Sequence, residues 1–356
     1  MTAHTPRERL NAEAAKRVLI FDGAFGTEIQ NRKLSEADYA GDLGLAADQK
    51  GNNDILALTR PDVIKDITRA YLEAGSDVVS TNTFSSNVIS QADYAAEALV
   101  DEINIASGKI ARDLADEYTA RDAENGIERP RFVAGAIGPT NKTLSLSPDV
   151  EDPGYREITF DYLVDVYHQQ AAALIEGGVD FILIETIFDT LNAKAGIFAV
   201  RRLAQELGRD VPIMLSMTLT DLSGRNLSGH TVEAFWHAVR HANPVTIGLN
   251  CSFGAEQLRP HIQLLSKIAD TLLMAYPNAG LPNELGEYDE EPETTAALVR
   301  EWAVNGQVNI LGGCCGSTPD HIAAMARAVA GLAPRTAPVP PIVTRLAGLE
   351  PFIMAA

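Results

Sequence analysis

Two of the chain's three cysteines, Cys314 and Cys315, stand side by side in "GGCCGSTPD", and the third, Cys251, lies far upstream in "GLNCSFG". Adjacent cysteines crowd each other as core residues, and a disulfide between them would be strained. Thiolates instead suit a soft ion such as zinc, which takes sulfur at about 2.3 Å in a tetrahedral shell. Three protein sulfurs leave one position for a substrate, whereas a purely structural zinc normally recruits a fourth Cys or His. Three ordinary free cysteines are the plain alternative unless the fold brings them to one place.

Whether it does depends on the elements that carry them. Short apolar runs end abruptly in small or polar residues at 17–27, 76–84, 131–140, 179–189, 211–219, 245–254, 271–280 and 307–316. Near-continuous apolar runs of this length suit parallel strands covered on both faces. Helical patterns separate them, among them 61–75, 160–178, 231–243 and 318–332, with Pro61 opening one, Gly75 closing it, and Ser317 or Thr318 as N-cap of the last. Eight such alternations predict an α/β fold, a (β/α)8 TIM barrel, as a single domain over 17–333. It carries an N-terminal extension, 1–16, and a proline-rich C-terminal linker or strap, 334–356, whose "PVPP" forbids regular helix. A doubly wound open sheet fits less well, because "DGAFGT" lacks the third glycine of a dinucleotide loop.

In such a barrel the reactive groups sit where strands end. Those positions hold Asp22, Gly23, Thr81, Glu185, Ser216, Asn250 and Asn278, and all three cysteines. The ends of the sixth and eighth strands are near neighbours around a closed barrel, so the three thiols can converge on one ion. A carboxylate at that rim, Glu185 or Asp22, is a good partner for an ammonium group. Gly23 and Gly26 free nearby amides to bind a carboxylate. The histidines carry no motif: His168, His237, His241 and His261 read as solvated or capping residues of helices. The acidic stretch 284–297 reads as a solvated loop leading into a helix.

Composition excludes several classes. A net charge of −19 argues against phosphate backbones and anionic membranes, both of which need clustered Lys and Arg. The first twenty residues carry charges throughout and no apolar core of a secretory signal. No apolar run reaches the roughly 18 residues of a membrane span. Three cysteines, an odd number, fit a reducing cytoplasm better than a disulfide framework.

Taken in order, "FDGAFGT", "STNTF", "GAIGPT", "ILIETIFD", "GLNC" and "GGCCG" resemble the homocysteine S-methyltransferase family from about residue 17 to 333. Within it, "MAYPNAGLP" and "RLAGLEPF" are most similar to the homocysteine-binding module of cobalamin-dependent methionine synthases. The resemblance implies that Cys251, Cys314 and Cys315 hold zinc and that the homocysteine sulfur takes the open position. It implies that Asp22 and Glu185 meet the substrate ammonium group, and that Asn278 fills the fourth position before substrate arrives. Ser85 stands where betaine-using relatives carry a tyrosine, which argues against betaine as donor. The expected reaction is attack of the thiolate on an activated methyl group to give methionine. The expected donor is methylcobalamin on a partner protein or missing module, since no cobalamin or folate module is recognisable in the chain. A self-sufficient enzyme using S-methylmethionine or S-adenosylmethionine, or a zinc-binding module without turnover, are the alternatives.

Overall fold

The computed structural model describes residues 4–354. Its main sheet comprises β1 (Leu19–Ile20), β2 (Val78–Ser80), β3 (Phe132–Ile137), β4 (Phe181–Ile187), β5 (Ile213–Met217), β6 (Thr246–Gly254), β7 (Leu272–Asn278) and β8 (Ile310–Leu311). The strands pair in parallel in the order β1-β8-β7-β6-β5-β4-β3-β2, and a bridge from Phe21 to Val78 joins the two edges. This is the TIM barrel expected from the alternation. The outermost pair of strands in that order is short for a local reason: beyond Ile20 and Leu311 the chain leaves the ladder and becomes the rim that carries Asp22 and the paired cysteines.

Inward side chains such as Phe21, Phe132, Phe181, Met214, Met274 and Tyr276 fill the barrel interior, while a larger apolar cluster lies between strands and helices. Helix Pro6–Ala14, within the expected N-terminal extension, opens with Pro6 and a capping box between Thr5 and Glu8. Its Leu10 and Ala14 join the interior cluster. Arg9 pairs with Asp180 just ahead of β4, and Arg7 pairs with Asp210 just ahead of β5. The helix therefore closes the end of the barrel opposite the site.

The helix signals held locally. Helix Pro61–Ala74 stops at Gly75, whose φ of +110° only glycine adopts without strain. For helix Pro319–Val329 the cap is Thr318, in a capping box with His321, and Ser317 is buried instead. Among the histidines expected to be solvated or capping, His237 tucks its side chain away from solvent, with Nε2 3.5 Å from Glu233 and neither ring nitrogen hydrogen-bonded. The acidic stretch divides into a loop through Glu291 and a helix, Pro292–Val304.

The C-terminal strap ends in a structure that the prolines did not signal. After Arg335, which is buried and donates to the carbonyls of Ser266, Ala269 and Thr271, the chain runs extended. It then folds into an antiparallel hairpin, β9 (Arg345–Ala347) and β10 (Pro351–Ile353), against helix Val232–Val239. The amide of Thr231 donates to the carbonyl of Leu349 at 3.1 Å, tying the hairpin to the loop that follows β5. Among the described residues no helix is long and apolar enough to cross a membrane.

Where the edges of the sheet meet, Asp77 is fully buried and receives two hydrogen bonds from Arg17, at 2.7 and 2.8 Å, and one from Arg129 at 2.7 Å. The Ile20 amide also donates to it at 2.9 Å. Removing one member of a buried ion network strands the rest, at a cost of about 3–5 kcal/mol. Asp77→Ala is expected to lower unfolding free energy by that amount in urea titrations, whereas Asp113→Ala, on an exposed pair with Lys109, should change it by less than about 1 kcal/mol.

Candidate metal centre and substrate pocket

The cysteine from β6 is delivered by an irregularity in the ladder. Asn250 pairs with Tyr276 and Gly254 with Asn278, so four steps on β6 are matched by two on β7. The extra residues bulge toward the barrel mouth, and Cys251 and Ser252 both adopt a φ of +60°. Non-glycine residues in that region store backbone strain, which here turns a side chain toward the site.

The paired cysteines are held by their neighbours. The Cys314 amide donates to Pro277 O at 2.8 Å, the Ala279 amide to Cys315 O at 2.9 Å, and the Gly313 amide to Asp22 O at 3.0 Å. The surrounding glycines are needed for space. A Cβ on Gly312 would lie 2.8 Å from the Phe21 Cβ, and one on Gly316, already at a φ of +80°, would lie 2.3 Å from the Tyr288 Cβ.

The result is convergence. The sulfurs of Cys251, Cys314 and Cys315 all lie within 4.8 Å of one another, and the Cys251 and Cys315 sulfurs are 3.7 Å apart. A disulfide needs about 2.05 Å. A zinc–sulfur tetrahedron with bonds of about 2.3 Å has edges of about 3.8 Å, so the spacing matches ligands around one ion. Without a cation the three thiols titrate against one another. Hydrogen bonds from Cys251 and Cys314 favour the Cys315 thiolate, and its neighbours are held as thiols: Cys314 is pushed up by its contacts with Cys251 and Cys315.

Asn250 supports the cluster from below. It is buried, accepts from Ser216 Oγ at 2.7 Å and the Thr186 amide at 3.1 Å, and directs its Nδ2 at the Cys314 sulfur, 3.9 Å away. Asn278 is buried, its Oδ1 has no hydrogen-bond partner, and its Nδ2 meets the Tyr288 hydroxyl at 3.5 Å. An unsatisfied buried carbonyl oxygen at the end of the strand between β6 and β8 is a group that a ligand or ion could satisfy.

Asp22 and Glu185 line the same mouth. Asp22 accepts from the Ser80 amide at 2.6 Å and the Ser80 hydroxyl at 3.0 Å. Burial pushes its carboxyl up to about 8 despite those bonds, with Glu185 adding to the rise. Burial likewise pushes Glu185 up to about 7, against the hydrogen bond it accepts from Tyr276 at 3.0 Å, and Cys315 adds to it. Two desolvated carboxyls, one of them raised further by the other, form a site that a cationic group would relieve. Gly23 lines the mouth but is packed on Tyr71, whose ring would stand 2.8 Å from an added Cβ. Thr81 also lines it, although its hydroxyl is committed to Thr83 Oγ1 at 2.6 Å and the Ala136 amide at 2.9 Å.

Sequence reasoning missed three members. Ser80 and Tyr276, which hold the two carboxylates, sit on inward positions of β2 and β7 that strand alternation could have revealed. Tyr288 carried no signal, because it lies in the acidic loop read as solvent. The loop bridges back on itself between Pro282 and Tyr288, and its Glu290 carbonyl is bound by His321 Nε2 at 2.8 Å. Behind it the mouth opens into a cavity of about 1270 Å³, far larger than one amino acid needs.

The profile of the homocysteine S-methyltransferase family matches residues 19–329. The fold is similar to that of the homocysteine methyltransferase MmuM from Escherichia coli in its oxidized form, with a TM-score of 0.69 at 22% identity over 91% of this chain and 99% of that one. The metallated form of the same enzyme gives a TM-score of 0.66 at 23% identity, again over 91% and 99%.

Asp22 allows a signed test. An unfolded carboxyl titrates near 3.9, so below that pH both states are protonated; as pH rises toward about 8 the fold increasingly holds a proton the unfolded chain has lost, and stability falls. Asp22→Asn should therefore stabilise the ligand-free protein at pH 8–9, by roughly 1–3 kcal/mol, with little change near pH 4. The same variant should weaken homocysteine binding at least tenfold by calorimetry.

Proposed function

The chain belongs to the homocysteine S-methyltransferase family, and from that premise we propose that it is a zinc-dependent enzyme that methylates homocysteine to methionine with methylcobalamin as donor, presented by a partner protein. The observation that carries the reading is the convergence of Cys251, Cys314 and Cys315 within 4.8 Å at the mouth of the barrel. Bound there, zinc supplies the Lewis acidity that keeps a substrate thiol ionised near neutral pH.

The residues of the chain then divide the work. Cys251, Cys314 and Cys315 hold the ion and leave room for one more sulfur. Asn278, with its unsatisfied Oδ1, is suited to yield the fourth position to the incoming substrate. Asp22 and Glu185 take the ammonium group, which resolves the cost of their burial. Tyr276 and Ser80 keep these carboxyls aimed, and Asn250 steadies Cys314. In the transfer step the substrate sulfur forms a bond to the methyl carbon while the bond from that carbon to its carrier breaks, and the electron pair stays with the carrier. No general base is required at a thiol that is already ionised.

A donor larger than the amino acid must reach this sulfur in line. The breadth of the cavity supports a bulky donor entering from outside the barrel, and the similarity of "MAYPNAGLP" to cobalamin-dependent synthases supports the corrin.

The test combines metal content, homocysteine binding and a donor screen. Zinc is expected at one per chain, lost in Cys314→Ala, with far-UV circular dichroism retained because the rim does not carry the core. Homocysteine binding should vanish on chelation, and methionine should form from free methylcobalamin. Transfer from S-methylmethionine or S-adenosylmethionine alone would overturn the donor assignment, and homocysteine binding that survives metal removal would overturn the metal's role.

A further inference from the structure

The cavity extends beyond the cysteines and the Asp22–Glu185 pair to a second lobe with its own buried carboxylate, Asp54. Asp54 is 4% exposed and makes no ion pair among the described residues, and its one hydrogen bond there is from the Ser85 amide to Oδ2 at 3.1 Å. Beside it Asn82, 6% exposed, is pinned through its own amide to Ser107 Oγ and through Nδ2 to Asn53 O, so only its Oδ1 remains to face a ligand.

The walls around them are rigid. The carboxamides of Gln49, Asn52 and Gln91 bond one another and the carbonyls of Ala47, Ser85 and Tyr94, which fixes the loop before Asp54 onto the segment after β2. Burial pushes the Asp54 carboxyl up to about 7, the mark of an acid without a counter-ion. Ser85, Asn82 and Asp54 line the same cavity as the cysteines.

We propose that Asp54 and the Oδ1 of Asn82 form a subsite for the methyl donor, recognising a group that offers N–H hydrogen-bond donors and carries no negative charge. The assignment rests on the methyltransferase reading but not on the identity of the donor. Primary carboxamides on the rim of a corrin and the ammonium group of a sulfonium amino acid share this chemistry, and an anionic donor does not. Homocysteine, anchored by Asp22 and Glu185, leaves the lobe free.

Asp54→Asn is the informative variant. Its Oδ1 can still accept from the Ser85 amide, so the fold is kept, but an NH₂ group then faces the N–H groups of the ligand. Cyanocobalamin and S-methylmethionine serve as binding probes for the zinc-free protein by calorimetry, and methylcobalamin and S-methylmethionine as donors in steady-state assays. Asp54→Asn is expected to weaken binding of the active donor's class, and raise its KM, by about five- to twentyfold, with homocysteine KM and zinc content unchanged and the melting temperature not lowered. A corrin-selective effect assigns the carboxamides, and a sulfonium-selective effect assigns the ammonium group. Unchanged donor binding, or an equal effect on homocysteine, overturns the subsite. A wild-type protein that methylates homocysteine from neither donor overturns the proposed function, while the binding measurements still decide the subsite.

Discussion

Three thiols confined within 4.8 Å cannot all be ionised unless a cation sits among them, and the rest of the molecule is arranged around that constraint. The barrel brings the ends of β6 and β8 to opposite sides of β7. The bulge in β6 and the glycine-flanked corner after β8 then close the remaining distance, using backbone conformations that an ordinary strand would avoid. Strain of this kind persists only where surrounding structure over-determines it. The ladder pairs Asn250–Tyr276 and Gly254–Asn278 pin both sides of the bulge, and the hydrogen bonds from Cys314 to Pro277, Ala279 to Cys315 and Gly313 to Asp22 hold the corner.

The electrostatics of the mouth follow the same logic one layer out. Asp22, Glu185 and Asp54 are each desolvated without a cation bonded to them, and each carboxyl is raised by burial. Leaving such groups unpaired costs stability, so they are informative about ligands in a way that the many exposed acids are not. The strong negative charge of the chain is mostly solvated surface. Asp22, Glu185 and Asp54 differ from it in lining the cavity, and the proposed function gives them their partners.

The barrel and the convergence of the three cysteines were legible because both rest on local rules: apolar runs ending in polar residues mark strand ends, and strand ends in this architecture share one face. Asp22, Glu185, Asn250 and Asn278 followed from the same rule: Asp22 and Glu185 line the mouth, Asn250 lies against Cys314, and Asn278 is buried at the end of β7 beneath Tyr288. What escaped notice depended on contacts distant in sequence. Asp54 lies in a single 3-10 turn, Asn53–Ile55, that leads into helix Leu56–Thr59, far from any strand end, and Tyr288 belongs to the acidic loop that is tied back through Glu290 and His321. The hairpin at the C-terminus was hidden for a related reason: proline excludes helix, but pairing of β9 with β10 depends on the surface of helix Val232–Val239. Thr81 also reaches the mouth, but its hydroxyl is held by Thr83 and the Ala136 amide, contacts that the strand-end rule does not foresee.

The stopper formed by helix Pro6–Ala14 has a consequence for traffic. With Leu10 packed into the interior cluster at that end, the cavity that bears the cysteines opens at the opposite rim. On the proposed reading the amino acid and its methyl donor are both lodged in that one cavity, so each comes and goes through a vestibule that the other shares.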